Sequence, residues 1–488
     1  MLFNSYEFIF AFLPLTFFVY FWLNSTGRQT AGKVFLVAAS LFFYSWWNVL
    51  YLPLIVGSIL FNYFVGLRLC SDSNAEPENR KGKILLAFSI AANLSLLGYF
   101  KYADFFIENV NSFAGADISV LNLALPLAIS FFTFQQIAYL VDCYRNEVKD
   151  RDFINYAVFV CFFPQLIAGP IVHNREMMPQ FSNVENKVLV YRNISIGIFV
   201  FSIGLFKKVV IADTFSTWAT TGFDISSTLQ FIEAWVTSLS YTFQLYFDFS
   251  GYTDMAVGIA LLFNIKLPKN FYSPYKATNI QDFWRRWHIT LSRFLRDYLY
   301  IPLGGNRFGE IRTYTNLMTT FILGGLWHGA GWTFVFWGLM HGVALAIHRA
   351  WSKIGIKLWS WLGWLLTFNF VVIAWVFFRA KEWADAIKVL KGMFGFNGVR
   401  LPDIFGRKFP VLSEYGVEFG NSLINIRGNL ETLLWVFCAL IFVLVFKNTV
   451  ELRERFVSSY FTATVTVVAL TTSVLMLNKV SEFLYFNF

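Results

Sequence analysis

Residues 315–346 read TNLMTTFILGGLWHGAGWTFVFWGLMHGVALA, thirty-two residues without one Asp, Glu, Lys or Arg. A membrane-crossing helix needs roughly 20 apolar residues. The run is too long for one ordinary span, so it is expected to be a broken helix or a hairpin of helices. Near its middle sits His328, in Gly324-Gly325-Leu326-Trp327-His328-Gly329-Ala330-Gly331. An ionisable side chain at membrane depth is costly and is a functional candidate by default. The flanking glycines allow a helix break or close backbone approach. Imidazole passes protons in either direction near neutral pH, and a dry site favours the neutral form that a general base needs. The bland alternative is a core histidine bonded to a neighbouring helix.

Composition agrees with that reading. Of 488 residues, 57% are hydrophobic, 20% aromatic and only 14% charged, against about 25% charged in a soluble domain. A soluble chain of this length would form about three domains of ~150 residues, but its surface could not hide 59 Phe, 22 Tyr and 17 Trp. Disordered, collagenous and disulfide-scaffold classes are excluded as well. What remains is an all-α polytopic membrane protein. The net charge of +9 is assigned to loops that set orientation rather than to nucleic-acid binding, for which no basic motif is present. Cys70, Cys143, Cys161 and Cys438 have neither disulfide nor zinc spacing.

Apolar runs fall near 8–23, 34–49, 50–67, 84–100, 120–141, 153–171, 194–212, 231–263, 315–346, 358–378, 433–446 and 460–477. The 231–263 run also exceeds thirty residues and carries the same expectation of a break or hairpin. The total is about 11–13 membrane helices in one integral domain, 1–488, with a core near 120–350. Residues 1–7 hold no basic residue and no cleavage site follows, so the first run is expected to be an uncleaved membrane helix. Basic loops at 28–33, 68–83 and 145–151 predict a cytoplasmic side, with the N-terminus outside the cytoplasm. The stretch 264–312 carries nine Lys and Arg against three acids and joins that side. The segment 379–431 is then extracytoplasmic. Within it Trp383, Ala386, Ile387, Leu390 and Phe394 form a helical apolar stripe suited to the outer leaflet or to a partner.

From 280 to 298 the apolar positions Ile280, Phe283, Trp284, Trp287, Leu291, Phe294, Leu295 and Tyr298 keep helical spacing, opposite Asp282, Arg285, Arg286, Arg293 and Arg296. The spacing predicts one amphipathic helix, at the cytoplasmic interface or packed under the bundle, with His288 at the edge of its stripe. His288 is read either as an anchor or as a site histidine that orients donor or acceptor. Asp248 and Asp254, six residues apart, face different sides of a helix and make a poor acid/base pair. Asp248 and Tyr252 share a face, as substrate contacts or as a buried polar network. His341, His348 and His173 are weaker candidates. No metal-ligand spacing, GxSxG elbow, P-loop or dinucleotide fingerprint occurs.

These segments together resemble the membrane-bound O-acyltransferase superfamily, and within it the bacterial alginate O-acetyltransferase membrane-subunit type. The resemblance runs along nearly the whole chain. It rests on Phe3-Asn4-Ser5-Tyr6-Glu7-Phe8, Ile129 to Gln135 with Tyr139 to Arg145, and Phe163-Pro164-Gln165-Leu166-Ile167-Ala168-Gly169-Pro170-Ile171. The centre adds Tyr246 to Asp254, Asn270 to Tyr275, Phe283 to Ser292, Gly324 to Gly329 and Phe377 to Ala380.

The resemblance implies a helical bundle around a central tunnel, with His328 as catalytic histidine. It makes His288 the second histidine of the superfamily pair, a position often Asn or Asp in other branches. It implies no bound cofactor, and a cytoplasmic acyl donor such as acetyl-CoA or another acyl thioester. It further implies a hydrolase-like extracytoplasmic acetyltransferase partner, a cell-surface polysaccharide as final acceptor and a place in the cytoplasmic membrane. Trp327, Trp284, Arg285, Asp248 and Tyr252 are the expected substrate-binding residues, and the basic stretch 264–312 suits an anionic donor. Chain length and the 379–431 segment favour the acetyl branch over D-alanyl transfer. Rival readings are a transporter or flippase of an acylated or lipid-linked sugar, for which no repeat is visible, and a non-catalytic scaffold of a polysaccharide secretion complex.

Overall fold

The computed structural model describes residues 1–72, 80–477 and 484. Nearly all the described structure is helical. The strands among these residues are Val399–Leu401 and Val417–Phe419, a parallel pair. Among the described residues, five helices are long and apolar enough to cross a membrane: Glu7–Ser25, Val49–Ser71, Arg80–Ala114, Tyr191–Ile225 and Ser360–Arg379. Leu430–Val445 and Tyr460–Leu475 are shorter apolar helices. The chain groups into two compact units. One holds Met1–Leu205, Tyr252–Lys269 and the helix Tyr460–Leu475; the other holds Phe206–Gly251 and Asn270–Glu454.

In the first unit, sequence breakers explain the irregular stretches. The 153–171 run is not one helix: it is helical over Phe153–Cys161, with a short turn at Phe163–Leu166. Pro164 has no N–H to give the Val160 carbonyl, so it can open a helical turn but not continue the preceding helix, and the chain leaves helical geometry at Phe162. The freed backbone groups find new partners. The Phe159 carbonyl accepts the side-chain amides of Gln135 and Gln165 at 2.7 and 2.6 Å, and the Phe163 N–H donates to Ser40 Oγ at 3.2 Å. Asn62 and Asn93 exchange hydrogen bonds of 3.1 and 2.7 Å between helices Leu52–Asp72 and Arg80–Ala114. Buried amides so paired hold helices together where apolar surroundings supply little drive. Gly197 and Gly258 let helix Tyr191–Phe206 press against Phe231–Leu262, since a Cβ on Gly197 would lie 2.7 Å from the Gly258 carbonyl oxygen.

In the second unit, the 315–346 run folds as a hairpin, one of the two forms expected for it. Helices Gly309–His328 and Trp332–Ile354 flank a break at 329–331. Their arms are in backbone contact: a Cβ on Gly325 would lie 2.3 Å from the Phe334 carbonyl oxygen, and one on Gly338 2.3 Å from that of Phe321. Gly329 is required by space, because a Cβ there would lie 2.2 Å from the Phe334 ring.

The 231–263 run departs from expectation. It is one continuous 32-residue helix, Phe231–Leu262. Its polar residues do not break it because Ser238 and Thr242 bond back to the carbonyls of Ala234 and Ser238 at 2.9 and 2.8 Å. Its buried Asp248 is neutralised in the same unit by Lys208, 2.8 Å away, which also pairs with Asp213 at 2.9 Å.

The stripe read within 379–431 is split between two environments. Helix Trp383–Met393 forms, but it buries Ala386, Val389, Gly392 and Met393, while Trp383, Ile387 and Phe394 are exposed. Gly392 sits against Ala234 and Leu229, so the inward face is set by small residues rather than by the largest apolar ones. The loop after it is tied down by Glu233, wholly buried, whose carboxylate accepts from the Asn425 N–H and side-chain amide at 2.8 Å each and from the Gln230 N–H at 3.0 Å.

Candidate active site

His328 is the last residue of helix Gly309–His328 and is buried, with about 5% of its surface exposed. Its ring is held in an aromatic box. Trp327 lies 4.8 Å away between centroids, Trp337 5.2 Å and Phe378 5.1 Å. The glycine break after His328 ends the helix there, so the imidazole stands at a helix C-terminus rather than in mid-helix. Helix Ser360–Arg379 supplies Phe378, and Trp332–Ile354 supplies Trp337.

The stretch 280–298 does not form the single amphipathic helix that its periodicity predicts. It forms two short helices, Ile280–Arg286 and Ile289–Leu295, joined at His288. His288 has φ +43°, in the left-handed region, which few residues other than glycine adopt. The neighbouring strand-like segment enforces that geometry. The Tyr272 N–H donates to the Arg286 carbonyl and the Ile289 N–H to the Asn270 carbonyl, both at 2.9 Å. Asn270 Oδ1 gathers His288 Nδ1 at 3.1 Å, the Thr290 N–H at 3.2 Å and the Thr290 hydroxyl at 2.8 Å.

An amide oxygen only accepts, so the proton of His288 sits on Nδ1 and the Nε2 lone pair is available. Nε2 has no hydrogen-bond partner among the described residues. The ring is fully buried, edge-on to Phe249 at 4.8 Å and 6.5 Å from Trp327. His288 and His328 are therefore joined through one shared indole, that of Trp327.

Beside them lies a cavity of about 760 Å³. Trp284, Arg285, Ile289, Arg293, Arg296, His348, Arg349 and Lys353 are among its lining residues. Arg285 and Arg293 were legible in the sequence as part of a basic stretch. Arg349 and Lys353 were not singled out, although their four-residue spacing puts both on one helix face. Glu310 binds both, at 3.2 Å to Arg349 and 2.6 Å to Lys353, and Asp297 pairs with Arg296 at 2.7 Å. The lining stops short of His328. Ring contacts lead from its wall to the imidazole instead: Trp284 packs on Trp337 at 5.8 Å, and Trp337 on His328 at 5.2 Å.

The other sequence candidates are placed differently. Asp248 is engaged by Lys208, as the polar-network reading expects. Lys208 was itself missed, although a lysine inside an apolar run is a signal. Tyr252 belongs to the first unit, buried and stacked on Phe3 at 4.8 Å. No group of three or more His, Cys, Asp or Glu suited to a metal ion occurs among the described residues.

Comparison with known proteins places the chain in a family. Residues 8–381 match the family model described as MBOAT, membrane-bound O-acyltransferase family. The chain is 51% identical to a peptidoglycan O-acetyltransferase of Helicobacter pylori, over 100% of this chain and 98% of that protein. It is 40% identical to "Probable alginate O-acetylase AlgI" of Pseudomonas aeruginosa, over 83% of this chain and 77% of that one. A teichoic acid D-alanyltransferase of Bacillus subtilis is 28% identical over 53% of this chain and 70% of its own length. The chain belongs to the membrane-bound O-acyltransferase family and is a multi-pass membrane O-acyltransferase.

Proposed function

We propose that this enzyme takes an acetyl group from a cytoplasmic acyl thioester, acetyl-CoA in the first instance, and delivers it through His328 for O-acetylation of peptidoglycan. The observation that carries the reading is the arrangement around His328: a buried imidazole at a helix break, with two indoles, Trp284 and Trp337, between it and a cationic cavity. The 51% identical relative is named for peptidoglycan, which favours that polymer over alginate.

Arg285, Arg293, Arg349 and Lys353 supply the cavity with charge that suits the phosphates of a CoA-type donor. Dry surroundings then limit hydrolysis of the thioester. His328 accepts the proton of an acceptor hydroxyl as its oxygen attacks the acyl carbon. The carbon–sulfur bond breaks, and the departing thiolate takes up the proton. The C-terminal end of helix Gly309–His328 carries partial negative charge, which stabilises the imidazolium formed in passing. His288, with its Nε2 lone pair open, orients the acceptor hydroxyl or the donor amide through an N–H or O–H. Trp327 fixes the spacing of the two rings.

The basic loops face the cytoplasm in this reading, the N-terminus lies outside it, and the protein resides in the cytoplasmic membrane. Residues 379–431 then face a hydrolase-like extracytoplasmic acetyltransferase, which passes the group to the glycan. The test is a reconstituted vesicle with the basic side outward, given labelled acetyl-CoA. Label appearing on an acceptor alcohol in the lumen, dependent on His328, supports the proposal. Equal transfer by His328→Ala, or none by the unaltered protein, overturns it.

A further inference from the structure

We propose that His341 is a positioning residue for acyl transfer, holding the Trp284 indole in place as the partition between the basic cavity and His328. The inference rests on the reading of that cavity as the donor site.

His341 is fully buried and touches no reacting group by the assignments above. Its Nδ1 lies 3.2 Å from Trp284 Nε1. An indole nitrogen only donates, so Nδ1 is the acceptor and the imidazole proton is on Nε2. Trp284 has about 7% of its surface exposed and lines the cavity. The His341 ring packs against Trp337 at 4.7 Å, and Trp337 packs edge-on against His328 at 5.2 Å. One imidazole thus fixes the two indoles that separate donor charge from catalytic ring.

Phenylalanine at 341 would keep the ring volume but leave the Trp284 N–H buried and unsatisfied, a costly state that favours rotation of the indole. Asparagine carries an acceptor oxygen close to the place of Nδ1. A displaced wall matters because small errors in reacting geometry cost large factors in rate.

The experiment complements a strain lacking the native protein with variants and measures O-acyl ester on the cell surface at matched membrane levels. The initial rate of transfer in reconstituted vesicles is measured alongside. His341→Phe is expected to lower the ester content and kcat by ~10-fold or more, with the donor KM changed by less than ~3-fold because the cavity cations are untouched. His341→Asn is expected to recover most of the loss. In a Trp284→Phe background, which has no N–H to hold, His341→Phe should add less than ~2-fold.

A residue that only fills the core predicts equal defects for the Phe and Asn variants, and independent losses in the Trp284→Phe background. Either result overturns the proposal, as does full activity of His341→Phe. Titration of the unaltered protein with acetyl-CoA tests the donor reading by itself. Its failure there leaves the cell-surface comparison, which needs no knowledge of the donor, to decide the role of His341.

Discussion

The imidazole of His328 and the indole of Trp337 meet edge to face, with centroids 5.2 Å apart and planes at 89°. They come from opposite arms of one helical hairpin, whose arms touch through Gly325 and Gly338. The position of the His328 ring therefore depends on backbone contact within a single supersecondary unit.

Replacing His328 with Ala is expected to abolish acyl transfer, a loss of at least ~10²-fold, while the protein still inserts and folds. Transfer of labelled acetyl by purified protein, with size-exclusion behaviour as the folding check, decides it. A variant as active as the parent would remove His328 from the mechanism.

For His288 the expectation is a severe loss on substitution by Ala, incomplete because His328 remains. Asn270→Ala should reproduce much of that loss, since Asn270 Oδ1 holds both His288 and Thr290. Parallel rate measurements on the two variants check this. An undiminished rate in His288→Ala would make the residue an anchor alone.

Charge reversal at Arg285 or Arg293 should raise the donor KM by ~10-fold, in proportion to the phosphate attraction lost, with a smaller change in kcat. Raising the salt concentration should shrink the difference between variant and parent. A KM indifferent to both substitutions would detach the cavity from donor binding.

Lys208→Met removes the cation beside buried Asp248 and part-buried Asp213. Breaking a buried pair from one side costs about 3–5 kcal/mol, so the thermal midpoint in detergent should fall sharply. Lys208→Met combined with Asp248→Asn and Asp213→Asn should regain part of it. No change in the single variant would mean that the carboxylates find other compensation.

Gly325→Ala places a methyl group 2.3 Å from the Phe334 carbonyl oxygen. The hairpin arms must separate, at about 1–3 kcal/mol, carrying His328 away from Trp337. Activity should fall further than stability does, which a paired measurement of rate and unfolding temperature will show.

The hairpin and its glycine-flanked histidine were legible because glycine and an ionisable group are rare inside long apolar runs, and both coincide at 324–331. The junction at His288 was not. Apolar periodicity continues through it from Phe283 to Leu295, and what breaks the helix is a backbone pairing with 270–272 contributed from outside the window. The continuity of Phe231–Leu262 was hidden for the opposite reason. A run longer than an ordinary span suggests a break, but nothing inside this one breaks: Ser238 and Thr242 bond within the helix and Lys208 pairs with Asp248. The cavity gathers Arg285 and Arg293 with Arg349 and Lys353, more than fifty positions on, and no local pattern announces that meeting.

The left-handed backbone at His288 acts as a filter on what can replace it. Asparagine, aspartate and glycine visit that conformation at little cost, whereas β-branched side chains resist it. Substitution at this one position is thus screened twice, once by chemistry and once by torsion. Residue 288 can drift towards small polar amides or acids without unfolding the junction, but valine or isoleucine would have to rebuild the turn itself.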